Sequence, residues 1–161
     1  MKNVIETFYE AFNNLDAETM VSCYHDDIIF EDPAFGTLHG ERAKNMWRML
    51  CESQKGKDFK IEYSNITISA TEGSASWEAF YTFSKTGRKV HNSIEAHFEL
   101  KNDKIIRHVD KFNLHKWSKQ ALGLKGFVLG KTIYFRNKLK TQTNRLLDKF
   151  ELSRKNKATS N

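Results

Sequence analysis

KVHNSIEAHFEL, residues 89–100, alternates without a break. Val90, Ile94, Ala96, Phe98 and Leu100 share one face, and His91, Ser93, Glu95, His97 and Glu99 share the other. Successive side chains of a strand point to opposite sides, so this regularity predicts a strand with one buried and one wet face. Three neighbouring stretches read the same way: FKIEYSNITIS (59–69), SASWEAFYTFS (74–84) and KIIRHVDKFNL (104–114). With turns expected at EGS, KTGR and KND, the four strands form an antiparallel meander joined by hairpins.

Upstream the period lengthens. Val4, Ile5, Phe8, Ala11 and Phe12 recur at helical spacing, then Asn14 and Asp16 supply a turn and an N-cap for a second helix through Met20, Val21 and Tyr24. A short strand-like run, Ile28 to Asp32, precedes the only proline, Pro33, and Gly36 and Gly40 bracket a loop. A third helix over Glu41–Gln54 carries Ala43, Met46, Trp47 and Leu50 on one face. Helices followed by a meander predict an α+β fold, with three N-terminal helices covering one face of a strongly curved antiparallel sheet.

Beyond Asn113 the pattern is helical again, forming an added C-terminal extension. Gly126 and Gly130 read as a turn between helices, and a later segment sets Phe135, Leu139, Leu146 and Phe150 on one face. The expected division is a cone domain over 1–115, a basic helical extension over 116–152 and a disordered tail over 153–161.

At 161 residues one domain suffices, burying roughly 70% of the surface its unfolded chain exposes. Cys23 and Cys51 have neither metal-ligand nor redox spacing and read as buried thiols. The start is amphipathic and carries acids, and no apolar run approaches a membrane span, so a cytoplasmic protein is expected. Charge is unevenly placed. Residues 1–112 hold 14 Lys and Arg against 18 Asp and Glu, whereas residues 113–161 hold 12 against 2. Three destinations for this basic segment follow: its own acidic body or a partner subunit, an anionic membrane surface, or nucleic acid. The first is favoured, because Glu95 and Glu99 lie on the outer sheet face; nucleic acid is not expected, because no groove-reading motif accompanies the charge.

The order of elements, with YHDDIIFEDPAFGTLHG (24–40) and TGRKVHNSIEAHFELKNDKIIRHVDKF (86–112), resembles the nuclear transport factor 2-like (cystatin-like) superfamily. Within it, the chain is most similar to SnoaL-like polyketide cyclases, ketosteroid isomerases and limonene-epoxide hydrolases. The resemblance implies a cone open to a small hydrophobic molecule, commonly in a homodimer, and a single acid/base carboxylate. It places Asp32 on the isomerase base. The positions of that family's oxyanion donors fall on Phe8 and Ala96, and the arginine and second aspartate of the hydrolases fall on Trp77 and Ala79. Asp110 resembles the aspartate of the final strand in both hydrolases and cyclases.

The candidate catalytic residues are therefore Asp110, His108 and Asp32. His108, Asp110 and Phe112 share one strand face, read as the inner one with Ile106 continuing it. Trp77, Asn92, Tyr24, Phe98 and Phe112 are the candidate substrate-binding residues. A structural reading stands beside each: an Asp and His satisfying one another, an Asp before proline capping its own turn, a buried amide. Two functions remain open, a cofactor-free isomerase, cyclase or hydrolase and a non-catalytic ligand-binding module. No metal site is expected, since His91, His97, Glu95 and Glu99 are spaced too widely along a strand. No cofactor is implied, there being no phosphate-cradling glycine loop or nicotinamide fingerprint.

Overall fold

Two glycine-bracketed turns and a proline do not end the sheet at Asp32; they fold it back on itself. The computed structural model describes residues 2–159. Its elements run α1 (Val4–Asn13), α2 (Ala17–Ser22), β1 (Tyr24–Asp32), β2 (Gly36–His39), α3 (Gly40–Gln54), β3 (Phe59–Ile68), β4 (Glu72–Phe83), β5 (Arg88–Lys101), β6 (Lys104–Lys111), α4 (Leu114–Leu122), α5 (Leu124–Leu129) and α6 (Ile133–Thr159). The expected loop between Gly36 and Gly40 is thus strand β2, pairing antiparallel with β1 from Asp32↔Gly36 to Ile29↔His39. Tyr24, expected to belong to the second helix, instead opens β1.

The six strands form one curved, unclosed sheet in the order β2-β1-β6-β5-β4-β3. The meander β3 to β6 is antiparallel throughout, as its alternation predicts. Its first turn falls at Ser69–Thr71 rather than at EGS, which lies inside β4. The β5–β6 hairpin turns through Asn102 and Asp103, both at positive φ, the conformation that fits the twist of the flanking strands. The contact between β1 and β6 is parallel, with Phe30 beside His108 and Glu31 beside Val109. Alternation within a strand carries no information about a parallel neighbour, so this pairing was not anticipated.

A bulge corrects the reading of the last strand. Glu99 pairs with Arg107 but Leu100 with Ile105, so Ile106 is the extra residue. An inserted residue reverses which positions face inward. Ile105 is therefore fully buried and Ile106 only partly, while His108 and Asp110 keep the inward direction.

Helices α1 to α3 cover the inner face. α1 starts on a reciprocal cap: Asn3 Oδ1 accepts from the Glu6 amide at 2.9 Å, and Glu6 Oε2 accepts from the Asn3 amide at 3.0 Å. α2 starts on Asp16, as expected. The main core joins Phe8 and Phe12 of α1, Trp47 of α3, and Trp77, Ile94 and Phe98 of the sheet. Both cysteines are buried free thiols. A second core forms where α4 crosses β5, around Val90, Leu114, Trp117 and Ala121.

The basic extension docks elsewhere than expected. α6 lies along α3 and the turn after β1, not on the outer sheet face with Glu95 and Glu99. The charges are also reversed. Arg42 of α3 binds Glu151 at 2.6 Å and Asp148 at 2.9 Å, and these are the two acids of residues 113–161. Leu147, rather than Leu146, is the buried anchor, at 0% exposure against 48%. The helix continues to Thr159, so residues 153–159 are helical and not the disordered tail expected; 160 and 161 lie outside the described residues.

If α6 is part of the folded unit, Leu147→Ala should destabilise the protein by about 3 kcal/mol, the cost of a cavity at a fully buried leucine. Denaturant titration measures this, and a loss below about 1 kcal/mol would mean that α6 is peripheral.

Candidate functional site

The side chains at the centre of the cone are joined by one chain of hydrogen bonds. Trp47 Nε1 of α3 donates to the Tyr24 hydroxyl at 2.7 Å, which lies 2.7 Å from His108 Nδ1. His108 Nε2 is 3.0 Å from Asp110 Oδ1, and Trp77 Nε1 of β4 donates to the same oxygen at 3.2 Å. Donor counting sets the direction. An indole N–H only donates, so the Tyr24 oxygen accepts from Trp47 and keeps its own proton for His108 Nδ1. The imidazole proton then sits on Nε2 and points to Asp110. Donation thus runs from Trp47 through Tyr24 and His108 to Asp110, where Trp77 also donates.

Local sequence explains each placement. Tyr24 opens β1, His108 and Asp110 alternate inward on β6, and Trp47 occupies the buried face of α3. Phe8, Phe30, Phe98, Trp47 and Tyr24 put their rings around that of His108, with centroids between 4.4 and 6.1 Å away. The cage excludes water completely: His108 is 0% exposed. Burial pushes the Tyr24 hydroxyl well above the ordinary tyrosine value, the Asp110 charge adding to the shift and the Trp47 bond opposing it. Tyr24 therefore stays a neutral donor.

Asp32 is the second carboxyl. Continuing the β1–β6 register by one residue sets it beside Asp110, roughly 5 Å away at the backbone. Its Oδ1 accepts from the Ala34 and Phe35 amides at 2.9 and 2.6 Å, the turn cap expected of an Asp before proline. The residue is half-buried, yet its carboxyl is desolvated enough to be pushed up to about 7; the Phe35 amide opposes this and the Asp110 charge reinforces it.

The cone thus brings together Asp110, His108, Tyr24, Trp77 and Phe98, with Asp32 adjacent and Phe112 half-buried between the two cores. Asn92 is not part of this group. It lies four residues along β5 from Ala96, the partner of Asp110, or about 13 Å away. Two participants were missed. The sequence places Trp47 only on one face of the third helix, although a buried indole N–H needs an acceptor. Tyr9, one residue after Phe8, is fully buried and its hydroxyl has no hydrogen-bond partner among the described residues. Burial, then the Asp110 charge, raises it well above the ordinary tyrosine value.

Comparison with known proteins places this geometry. The profile of the SnoaL-like domain matches residues 5–108. No protein in the curated set matches significantly. A limonene-epoxide-hydrolase-like epoxide hydrolase of M. tuberculosis is 21% identical, covering 78% of this chain and 92% of its own, with a TM-score of 0.60. A proposed polyketide cyclase of Xanthomonas campestris pv. campestris is 18% identical, covering 73% and 93%, with a TM-score of 0.58. TerC, co-crystallised with polyporic acid, is 15% identical, covering 74% and 95%, with a TM-score of 0.62. At these identities the likeness is one of fold, and it is the nuclear transport factor 2-like cone expected from the sequence.

The raised Asp32 carboxyl gives a pH signature. The unfolded chain releases this proton near pH 4 and the folded one only near 7, so its contribution to stability is present in acid and is lost as pH rises through about 7. In thermal melts, Asp32→Asn should therefore gain on the wild type between pH 5 and 8.5. Parallel profiles would show that the carboxyl ionises equally in both states.

Proposed function

The chain belongs to the SnoaL-like family, and we propose that it is a cofactor-free acid/base enzyme acting on a small hydrophobic molecule with a ketone or epoxide oxygen. The observation that carries this reading is the pairing of two unlike carboxyls beside an unpartnered buried hydroxyl. Asp110 receives N–H donors from His108 and Trp77, both on Oδ1; Oδ2 takes neither. Asp32 keeps its proton up to about pH 7. Two carboxyl groups in contrasting environments are the arrangement that separates a base from an acid, as in the tuned sites of lysozyme and ketosteroid isomerase.

In the proposed step Asp110 Oδ2 takes a proton, either from carbon next to a carbonyl or from a water attacking an epoxide. His108 and Tyr24 hold the carboxylate in place. The developing oxyanion is met by the Tyr9 hydroxyl and by the proton of Asp32, which also balances the charge. Tyr9 is the next residue of α1 after Phe8, the position on which the resemblance sets the isomerase tyrosine, and its ring lies against Trp77 and Phe98. Trp77 and Phe98 form the apolar wall, Phe112 follows the end of β6, and Asn92 lies further along β5.

The sealing of His108 favours a second reading, a non-catalytic binding module whose hydrogen-bond chain only ties α3, β1, β4 and β6 together. Two substitutions separate the readings, assayed on a panel of hydrophobic epoxides and cyclic enones. Asp110→Asn should abolish turnover while the protein still folds; turnover at the wild-type rate removes Asp110 from the chemistry. Tyr9→Phe should lower kcat by about 100-fold or more, the usual cost of one oxyanion donor. Because its hydroxyl has no partner, the same change should leave the melting temperature unchanged or higher. A lower melting temperature at an unchanged rate would make Tyr9 structural.

A further inference from the structure

From Lys111 to Leu147 the chain carries nine Lys and Arg and no Asp or Glu across 37 residues. The middle of this stretch is a rigid helical hairpin, not the simple turn expected at Gly126 and Gly130. Ser118 of α4 is fully buried and its hydroxyl donates to the Gly126 carbonyl at 3.0 Å. A Cβ at Gly126 would collide with the Ser118 carbonyl, and one at Gly130 with its hydroxyl, so only glycine lets α5 lie this close. His115 Nε2 adds a contact of 2.9 Å to the Phe127 carbonyl.

What this hairpin holds outward is apolar. Leu124, Phe127, Val128, Leu129, Ile133 and Tyr134 are between 45% and 78% exposed. A contiguous patch of this kind on a small domain marks an interaction site. Cations frame it. The Lys119 ammonium sits 5.3 Å from the Phe127 ring centre, and that of Lys138 sits 5.7 Å from the ring of Tyr134. Lys125 and Lys131 flank the patch along the chain. Their stems can lie on the apolar surface while the charged ends stay at its edge.

Charge decides the occupant. A second copy meeting this face through the same face would set cations against cations with no acid between them. Nucleic acid would match the lysines but meet large apolar side chains at the centre. We propose that the α4–α5 hairpin and the first turn of α6 dock on the surface of an anionic lipid bilayer, the apolar side chains entering the headgroup–acyl boundary and the lysines binding lipid phosphates. The contact is superficial, since no helix among the described residues is long and apolar enough to cross a membrane. It shares no residue with the buried hydrogen-bond chain and does not rest on the acid/base reading.

The test is co-sedimentation of the full-length protein with phosphatidylcholine vesicles, with and without phosphatidylglycerol. Binding should require the anionic lipid and weaken with added salt. The pair Phe127→Ser with Ile133→Ser, and the pair Lys125→Glu with Lys131→Glu, should each reduce binding about tenfold or more at unchanged melting temperature. Failure of the wild type to bind anionic vesicles overturns the proposal, as does equal binding by both variants. Loss of a dimer in the variants, without vesicle binding by the wild type, would assign the patch to a second copy instead.

Discussion

A histidine with no access to water must have both ring nitrogens satisfied by protein, and here that requirement couples four elements. His108 finds the Tyr24 hydroxyl on one side and Asp110 on the other, and the two tryptophans complete the chain at its ends. An unmet buried polar group costs about 1–3 kcal/mol, so no member can be withdrawn without leaving its neighbours stranded. The parallel contact of β1 with β6 belongs to the same constraint, because it sets Tyr24 and Asp32 on the strand beside His108 and Asp110. The direction of the donors then concentrates the chain on a single carboxylate, which is the property chemistry requires.

The positions that would carry the oxyanion donors of a ketosteroid isomerase hold apolar residues that serve the cage. Phe8 stacks on Tyr24 at 5.3 Å, and the buried Ala96 sits opposite Asp110. Trp77 of β4 gives its indole N–H to Asp110, and Tyr9, the next residue of α1, carries a buried hydroxyl without a hydrogen-bond partner among the described residues.

The C-terminal extension belongs to this architecture as well. Thr143 Oγ1 donates to the Ala34 carbonyl at 2.9 Å and Asn144 Nδ2 to that of Phe35 at 2.9 Å, so α6 is bonded to the turn that caps Asp32. Arg42, drawn to the two acids of an otherwise basic segment, fixes the axial position of the helix. One end of the extension thus steadies the turn beside Asp32, and the other presents an apolar, cationic surface to the outside.

Alternation over 89–100, helical spacing in the first 54 residues and the capping Asp16 were sufficient for the α+β class, for the meander and for the shared face of His108 and Asp110, because period and caps are properties of neighbouring residues. The EDP segment was legible as a turn cap for the same reason. Other features depended on residues brought together from far apart. Tyr24 and His108 are 84 positions apart, and nothing local indicates that a hydroxyl at the start of one strand meets an imidazole on another. The bulge at Ile106, the acceptor of Trp47, the unpartnered Tyr9 hydroxyl and the seat of α6 on Arg42 likewise follow from which surfaces meet. Local chemistry therefore determined the helices, the meander strands and most of the faces they offer, while the tertiary contacts decided β2, the bulge at Ile106 and which polar groups satisfy one another, since a hydrogen bond between distant elements is settled only when both are in place.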